Sequence, residues 1–180
     1  MGDSLMTIVA IVLAAVLMFV FPLMSVSDRS DDISQLSVQN TTAEYVDNIR
    51  STGKLSLEDY TKFVETLAAT GNSYDVELEL KVLDENPGKK AAQTDVEKIG
   101  ENVYYTMYTT QIMEQINPNA TQYPNGRTLL LKEGDIISVS VKNTNTTIAQ
   151  LLRNAFYKVT GNDTYQISAS HGGIVTVNGK

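Results

Sequence analysis

The first feature of the chain is an uninterrupted apolar run close to its N-terminal end. The range Leu5–Val26 has no charged residue, and every residue in it except Thr7, Pro22 and Ser25 is aliphatic, aromatic or Met. As a helix rising about 1.5 Å per residue, this range crosses a hydrocarbon core about 30 Å thick. The pattern therefore predicts a transmembrane helix, which we assign to residues 1–27.

Two fates of this segment stay open from the sequence. Its length favours a retained anchor, whereas Ser25–Val26–Ser27 places small residues where a signal peptidase cuts. Within the segment we expect a helix kink at Pro22, because proline removes one helical hydrogen bond and crowds the preceding turn.

The orientation in the membrane follows from the flanking charges. The basic residue nearest to the apolar run is Arg29, on its carboxyl side, and three aspartates surround it. Little therefore holds that side in the cytoplasm. We expect a single-pass protein of the cell membrane with its C-terminal domain outside the cell.

Helical periodicity predicts three soluble helices after the apolar run. The first covers residues 30–50 and ends before Gly53, and its expected buried positions are Ile33, Leu36, Val38, Thr42, Tyr45, Val46 and Ile49. The second covers Leu57–Thr70, is capped by Ser56 with Asp59 at the third helical position, and stops at Gly71. The third covers Thr147–Val159, and its expected apolar face is Ile148, Leu151, Leu152, Ala155, Phe156 and Val159.

Alternating apolar and polar positions predict an antiparallel sheet with one wet face. The clearest strand is Tyr74–Val82, and shorter ones are expected at 128–132, 136–141, 165–169 and 173–177. The range 103–116 reads as a strand followed by a helix, and loops are expected at 84–93 and 117–126. The predicted fold is α+β: a hydrophobic helix (1–27), a helical stalk (28–55) and a small antiparallel-sheet head packed with helices (56–180).

Composition narrows the classes of function. The 180 residues include 14 Lys and Arg against 21 Asp and Glu, so the formal charge of −7 argues against a nucleic-acid partner. The chain has no Cys, which removes disulfides, thiolate zinc sites and a cysteine nucleophile. It also lacks the HExxH, GxSxG and glycine-rich phosphate-binding patterns. We therefore expect no enzyme, no catalytic or metal-binding residues and no cofactor.

Three sets of residues carry candidate chemistry, each with a structural alternative. His171 is a possible general base, but the following two glycines favour a turn between two strands. The acidic group Asp28, Asp31 and Asp32 lacks the ligand series of a calcium loop, so we expect a solvated helix start. A tyrosine set offers a stacking surface if all its members are exposed and half-buried packing otherwise; it comprises Tyr104, Tyr105 and Tyr108.

The order of parts resembles a known family. The apolar segment is followed by the stretch 43–50 (AEYVDNIR) and by the helix after Ser56. In this order the chain resembles type IV pilin-like proteins, and especially the TadE-like minor pilins (pseudopilin-like envelope proteins) of tight-adherence systems. The resemblance does not extend to the processing site. Precursors of that group have a Glu at the fifth position after the cleavage site, whereas the fifth residue after Gly2 is Thr7.

The resemblance implies a structural role. It implies a subunit of a pilus-like filament or of a secretion- or conjugation-type envelope machine, with the membrane and other copies or envelope subunits as partners. The small residues Ala10, Ala14 and Ala15 form a flat face that permits close helix packing in a membrane or filament core. The alternative function is a single-pass, membrane-anchored extracellular binding or sensor module, and an envelope hydrolase using His171 is a third hypothesis.

Overall fold

The computed structural model describes residues 2–84, 103–119, 128–151, 154 and 166–180. Its first feature is one helix that runs without a break from the apolar segment into the head. It consists of α1 (Gly2–Ala15), a π-helical turn (Val16–Val20) and α2 (Phe21–Thr52). Gly53 ends it in a left-handed conformation with φ of 64°, which glycine adopts without a steric penalty.

The head combines short helices with an antiparallel sheet. Its helices are α3 (Leu57–Ala68) and α4 (Thr109–Ile116). Its strands are β1 (Lys54–Leu55), β2 (Tyr74–Asp84), β3 (Val103–Tyr108), β4 (Leu129–Leu130), β5 (Ile136–Asn143) and β6 (Ser168–Ile174). The described part of the chain thus has the α+β architecture, with an N-terminal hydrophobic helix, that the periodicities predict.

Every strand pairing among the described residues is antiparallel. The main sheet has the order β3-β2-β5-β6, and β1 pairs with β4 in a separate two-stranded ribbon. Val139 in β5 pairs with Leu78 on one side and with His171 on the other. Because directly paired residues share a face of a sheet, His171 lies on the same face as these two buried side chains.

That face forms the core together with α2, α3 and α4. Its buried side chains from β2 and β5 are Leu78, Leu80, Ile137, Val139 and Val141. The α2 helix packs across β5 and β6, and α3 packs beside α2, where the rings of Tyr45 and Phe63 stack 4.3 Å apart. The long helix therefore supplies part of the core of the head.

Several local predictions are confirmed. The backbone N–H of Asp59 donates to the Ser56 hydroxyl at 3.2 Å, so Ser56 caps α3 as predicted. The predicted strand at 74–82 is β2, extended to Asp84. The change from strand to helix within 103–116 occurs between Tyr108 and Thr109.

The prediction of two separate strands at 165–169 and 173–177 is wrong. One strand, β6, runs through His171, Gly172 and Gly173, where the sequence predicts a turn. Its glycines serve close packing, because a Cβ on Gly173 would lie 2.5 Å from the Nε atom of Arg50 on α2. The strand predicted at 128–132 shrinks to the two residues of β4.

The predicted buried faces are partly wrong. Ile33 and Leu36 are exposed, since α2 turns the face with Asp31, Ser34 and Val38 toward the head. Ile148 and Leu151 are also exposed, because the helical residues 148–151 bury Ala149 and Gln150 instead. The rest of the helix predicted to Val159, apart from residue 154, lies outside the described residues, as do 85–93 and 120–126 of the two predicted loops.

Candidate functional site

The candidate functional element is the part of the long helix that extends beyond the head. No residue of α1 or of the π-helical turn is buried, and the first buried residue of α2 is Asp31. Ser27 already lines a cavity with residues of the head, so the projecting part is Gly2–Val26. At about 1.5 Å per residue, it is roughly 38 Å long. By its length and composition, this is the one helix among the described residues able to cross a membrane.

The predicted packing residues all lie on this projecting helix. Ala10 and Ala14 are one turn apart on α1, Ala15 ends α1, and all three are exposed. Pro22 lies at the start of α2, directly after the π-helical turn. A proline has no N–H to donate to the carbonyl four residues earlier, and a wider turn before it relieves that mismatch. The kink predicted at Pro22 and the packing role of the alanines stay predictions.

Asp31 fixes the base of the head to the helix. Its side chain is only 4% exposed, and its Oδ2 atom accepts a hydrogen bond of 2.7 Å from the Thr147 hydroxyl. Thr147 is itself a helix cap, because its hydroxyl accepts from the Gln150 N–H while its own N–H donates to Gln150 Oε1. The expectation of a solvated helix start at Asp28, Asp31 and Asp32 is wrong, since the helix is continuous here and Asp31 is buried.

Gln35 forms the next tie, one turn further along α2. Its Nε2 atom donates to the Ser168 carbonyl at 2.6 Å, and its Oε1 atom accepts from the Ser168 N–H at 3.0 Å. The side-chain amide thus pairs with the start of β6 as a neighbouring strand would. Sequence reasoning missed this contact, because the two residues are far apart in the chain and neither belongs to a motif.

A cluster of three polar side chains joins α2 to the middle of β6. The Arg50 Nη1 atom donates to Asp47 Oδ1 at 2.7 Å, and the His171 Nε2 atom lies 3.4 Å from the same oxygen. The Arg50 guanidinium is the main cause that lowers the pKa of the Asp47 carboxyl, and His171 adds to it. His171 thus packs beside a carboxylate on the helix-facing side of the sheet, where it contributes to docking of the helix.

The last turn of α2 is hydrogen-bonded to residues 174–176 near the C-terminal end of the chain. The Arg50 carbonyl, which has no partner inside the helix, accepts from the Thr176 N–H at 3.0 Å. The Arg50 Nε atom donates to the Ile174 carbonyl at 3.0 Å. The helix is therefore held along its length by Asp31, Gln35 and Arg50, so that its direction relative to the head is fixed.

The tyrosine set does not form one surface. Tyr104, Tyr105 and Tyr108 are all exposed, as a stacking surface requires. Tyr105 pairs with Val82, whereas the other two pair with Leu83 and Glu79, so Tyr105 points to the opposite face of the sheet. The Tyr104 hydroxyl donates to the Gly134 carbonyl at 3.3 Å. The arrangement offers no single aromatic platform for a ligand.

Searches against protein-family models, curated proteins and solved structures found no match to this chain. Within the described ranges, no group of three or more His, Asp or Glu side chains is placed to hold a metal ion.

Proposed function

We propose that the protein is a structural subunit of a pilus-like filament or of a related secretion- or conjugation-type envelope machine. The observation that carries the proposal is the single helix that begins apolar and fully exposed at Gly2 and ends as part of the head core at Thr52. A flexible linker would suffice to tether a head to a membrane. A continuous helix also couples the two parts mechanically. The way in which its apolar part packs against neighbouring helices then determines the orientation of the head.

The joint between helix and head supports this role. The ties at Asp31, Gln35 and Arg50 are spread over five turns of α2, and all lead to β6 or to the helix start at Thr147. Hydrogen bonds at both ends of the joint resist rotation of the head about the helix. A subunit that packs through its helix needs this property, because its head must meet neighbouring heads in one orientation.

The apolar helix supplies the proposed contact between subunits. In the membrane, its exposed aliphatic side chains face lipid and hold the subunit before assembly. In a filament core the same side chains pack against other helices, and the small face of Ala10 and Ala14 permits a close approach. The partners of this protein are thus further copies or other helical envelope subunits.

Shearing and fractionation of the native cells tests the proposal. We expect a sheared extracellular polymer that contains the protein, and loss of that polymer in Ala14→Leu, which adds bulk to the small face. The control is Val9→Phe, which adds comparable bulk at an exposed position on the side of α1 away from all three alanines and should leave the polymer intact. Recovery of the wild type only as a membrane monomer would contradict assembly and favour the anchored binding module.

A further inference from the structure

The base of the head lies at the level where the apolar run of the long helix ends. Strand β2 begins and strand β5 ends at this base, where Tyr74 pairs with Asn143. The adjoining segments 70–73 and 144–151 both contribute to a cavity that Ser27, the first residue after the apolar run, also lines. A bilayer that surrounds the apolar run would therefore meet the base of the head.

Two exposed apolar side chains lie at this base. Ile148 is 61% exposed and Leu151 is 63% exposed, which exceeds every other large aliphatic side chain that the structure describes in the head. The Leu151 N–H donates to the Thr147 carbonyl at 2.9 Å, so both residues belong to one helical turn, and their spacing of three places them on the same face. Because Ile148 lines the cavity with Ser27, this face lies beside the end of the apolar run.

The base is uncharged although the protein is acidic. Residues 70–73 (TGNS) and 144–151 (TNTTIAQL) contain no charged residue, whereas the formal charge of the whole chain is −7. Asp31 also lines the cavity, but it is buried and accepts a hydrogen bond from the Thr147 hydroxyl. Removal of charges from water is costly, so an uncharged surface meets an apolar layer more readily than a charged one. The two segments present hydroxyl and amide groups beside the apolar pair.

We propose that the base of the head docks on the bilayer surface, with Ile148 and Leu151 inserted among the lipid headgroups. Transfer of apolar side chains out of water is favourable, and an amphipathic turn in the plane of the interface achieves it. Because Asp31 ties this turn to α2, docking also fixes the rotation of the long helix about its own axis, and with it the direction of the Ala10 and Ala14 face. The inference rests on the membrane anchoring in the proposed function but not on filament assembly.

Fluorescence quenching by nitroxide lipids tests the proposal on the full chain, held as a single copy in phosphatidylcholine nanodiscs. The chain has no Cys, so one introduced Cys carries an NBD fluorophore at a chosen position. The test positions are Ile148→Cys and Leu151→Cys. Leu13→Cys reports on insertion of the apolar run, and Leu130→Cys is an exposed control in the strand that pairs with Lys54, beyond the far end of α2. The discs contain lipids with the nitroxide either near the headgroup or near the centre of the bilayer.

We expect the shallow nitroxide to quench the labels at 148 and 151 by about half, because an interfacial turn lies about 5–10 Å into the headgroup boundary. The label at 13 should be quenched more strongly by the deep nitroxide, and the label at 130 by neither. Quenching at 13 without quenching at 148 and 151 would overturn docking alone. Absence of quenching at 13 would overturn the membrane anchor of the proposed function together with docking.

A second variant separates docking from simple proximity to the bilayer. Ile148→Ser removes one of the two apolar side chains and should roughly halve the quenching of a label at Leu151, with an unchanged far-UV spectrum. The matched control is Leu36→Ser, which removes a side chain of similar exposure about 15 Å further along α2 and should leave the quenching unchanged. Equal quenching in both variants would overturn the insertion of the apolar pair. Disulfide cross-linking of Ile148→Cys between two copies in one disc, without lipid quenching at that position, would identify a second copy as the occupant and also overturn the proposal.

Discussion

The backbone of Gly53 lies directly against the backbone of Gly179. A Cβ on Gly53 would lie 2.5 Å from the Gly179 nitrogen and 2.7 Å from the Val177 carbonyl oxygen. Leu131 bridges the two glycines, because its N–H donates to the Gly53 carbonyl and its carbonyl accepts from the Gly179 N–H, both at 2.8 Å. The end of the long helix and the end of the chain are thus packed as one unit.

The first prediction concerns this backbone contact. Gly53 and Gly71 both have positive φ, but a Cβ on Gly71 meets no atom within 4 Å. We expect Gly71→Ala to lower the free energy of unfolding by about 1 kcal/mol from backbone strain alone. Gly53→Ala adds a clash with backbone atoms that no rotamer change relieves, and the expected loss is about 3 kcal/mol. Chemical denaturation followed by circular dichroism measures both, and equal losses would contradict the contact.

The second prediction concerns Gly173 and Arg50. A side chain at 173 would displace the Arg50 guanidinium and break its hydrogen bond to the Ile174 carbonyl. We expect Gly173→Ala to lower the free energy of unfolding by about 1–2 kcal/mol. In an Arg50→Ala background most of that loss should disappear, because the displaced group is gone. A double-mutant cycle checks this, and strictly additive losses would show that Gly173 is needed for another reason.

The third prediction concerns the joint at the base of the head. Asp31→Ala leaves the Thr147 hydroxyl without its buried acceptor, and we expect a loss of about 1–2 kcal/mol in the free energy of unfolding. The neighbouring Asp32 is exposed, so Asp32→Ala should change it by less than about 0.5 kcal/mol. Hydrogen exchange should also speed up at residues 148–151 in the first variant only. Similar behaviour of the two variants would mean that the contact contributes nothing.

The sequence predicts an element correctly where its local pattern of apolar and polar residues determines the structure. Alternation alone identifies β2, and an apolar helical face with a cap identifies α3, because both elements bury one face against the core. The apolar helix is equally plain, since the range Leu5–Val26 carries no charge. These features predict the α+β fold and the projecting helix, the element on which the proposed function depends.

The sequence is misleading where contacts between residues far apart in the chain determine the local structure. Residues 170–173 (SHGG) are predicted to form a turn between two strands, but they lie within the single strand β6, where Gly173 admits the Arg50 side chain of α2. Ile33 and Leu36 have helical spacing, yet α2 buries the face of Asp31, whose partner Thr147 lies 116 residues away.

The fourth prediction concerns acid pH. Arg50, with His171, lowers the pKa of Asp47 below its usual value of 3.8, so the ionised carboxylate is stabilised in the folded state. This stabilisation is present above the pKa of the unfolded chain and is lost as pH falls through the lowered folded value. We expect the Tm of wild type to exceed that of Asp47→Asn at pH 7, and the two to converge as pH falls below the lowered pKa of the Asp47 carboxyl. Because Asp47 is exposed, added salt should shrink the difference at pH 7, and a difference unaffected by pH would contradict the ionic origin.

The last prediction concerns a buried hydroxyl. Tyr45 stacks on Phe63, and its hydroxyl is buried without a partner among the residues that the structure describes. Removal of an unpaired buried polar group is favourable, so we expect Tyr45→Phe to raise the free energy of unfolding by about 1 kcal/mol.

The effect of Tyr45→Phe should grow with pH. Burial, aided by Tyr60 and Asp59, raises the pKa of the Tyr45 phenol, so its neutral form is favoured in the folded state. That preference is fully present below the ordinary tyrosine pKa of 10.0 and is lost as pH rises above it, when the unfolded phenol ionises. Between pH 7 and about pH 11, the free energy of unfolding should therefore fall less for the variant than for wild type, as measured by chemical denaturation. The control is Tyr108→Phe at an exposed position, which should match wild type at both pH values. If Tyr45→Phe instead lowers the free energy of unfolding, the Tyr45 hydroxyl forms a hydrogen bond that stabilises the folded state.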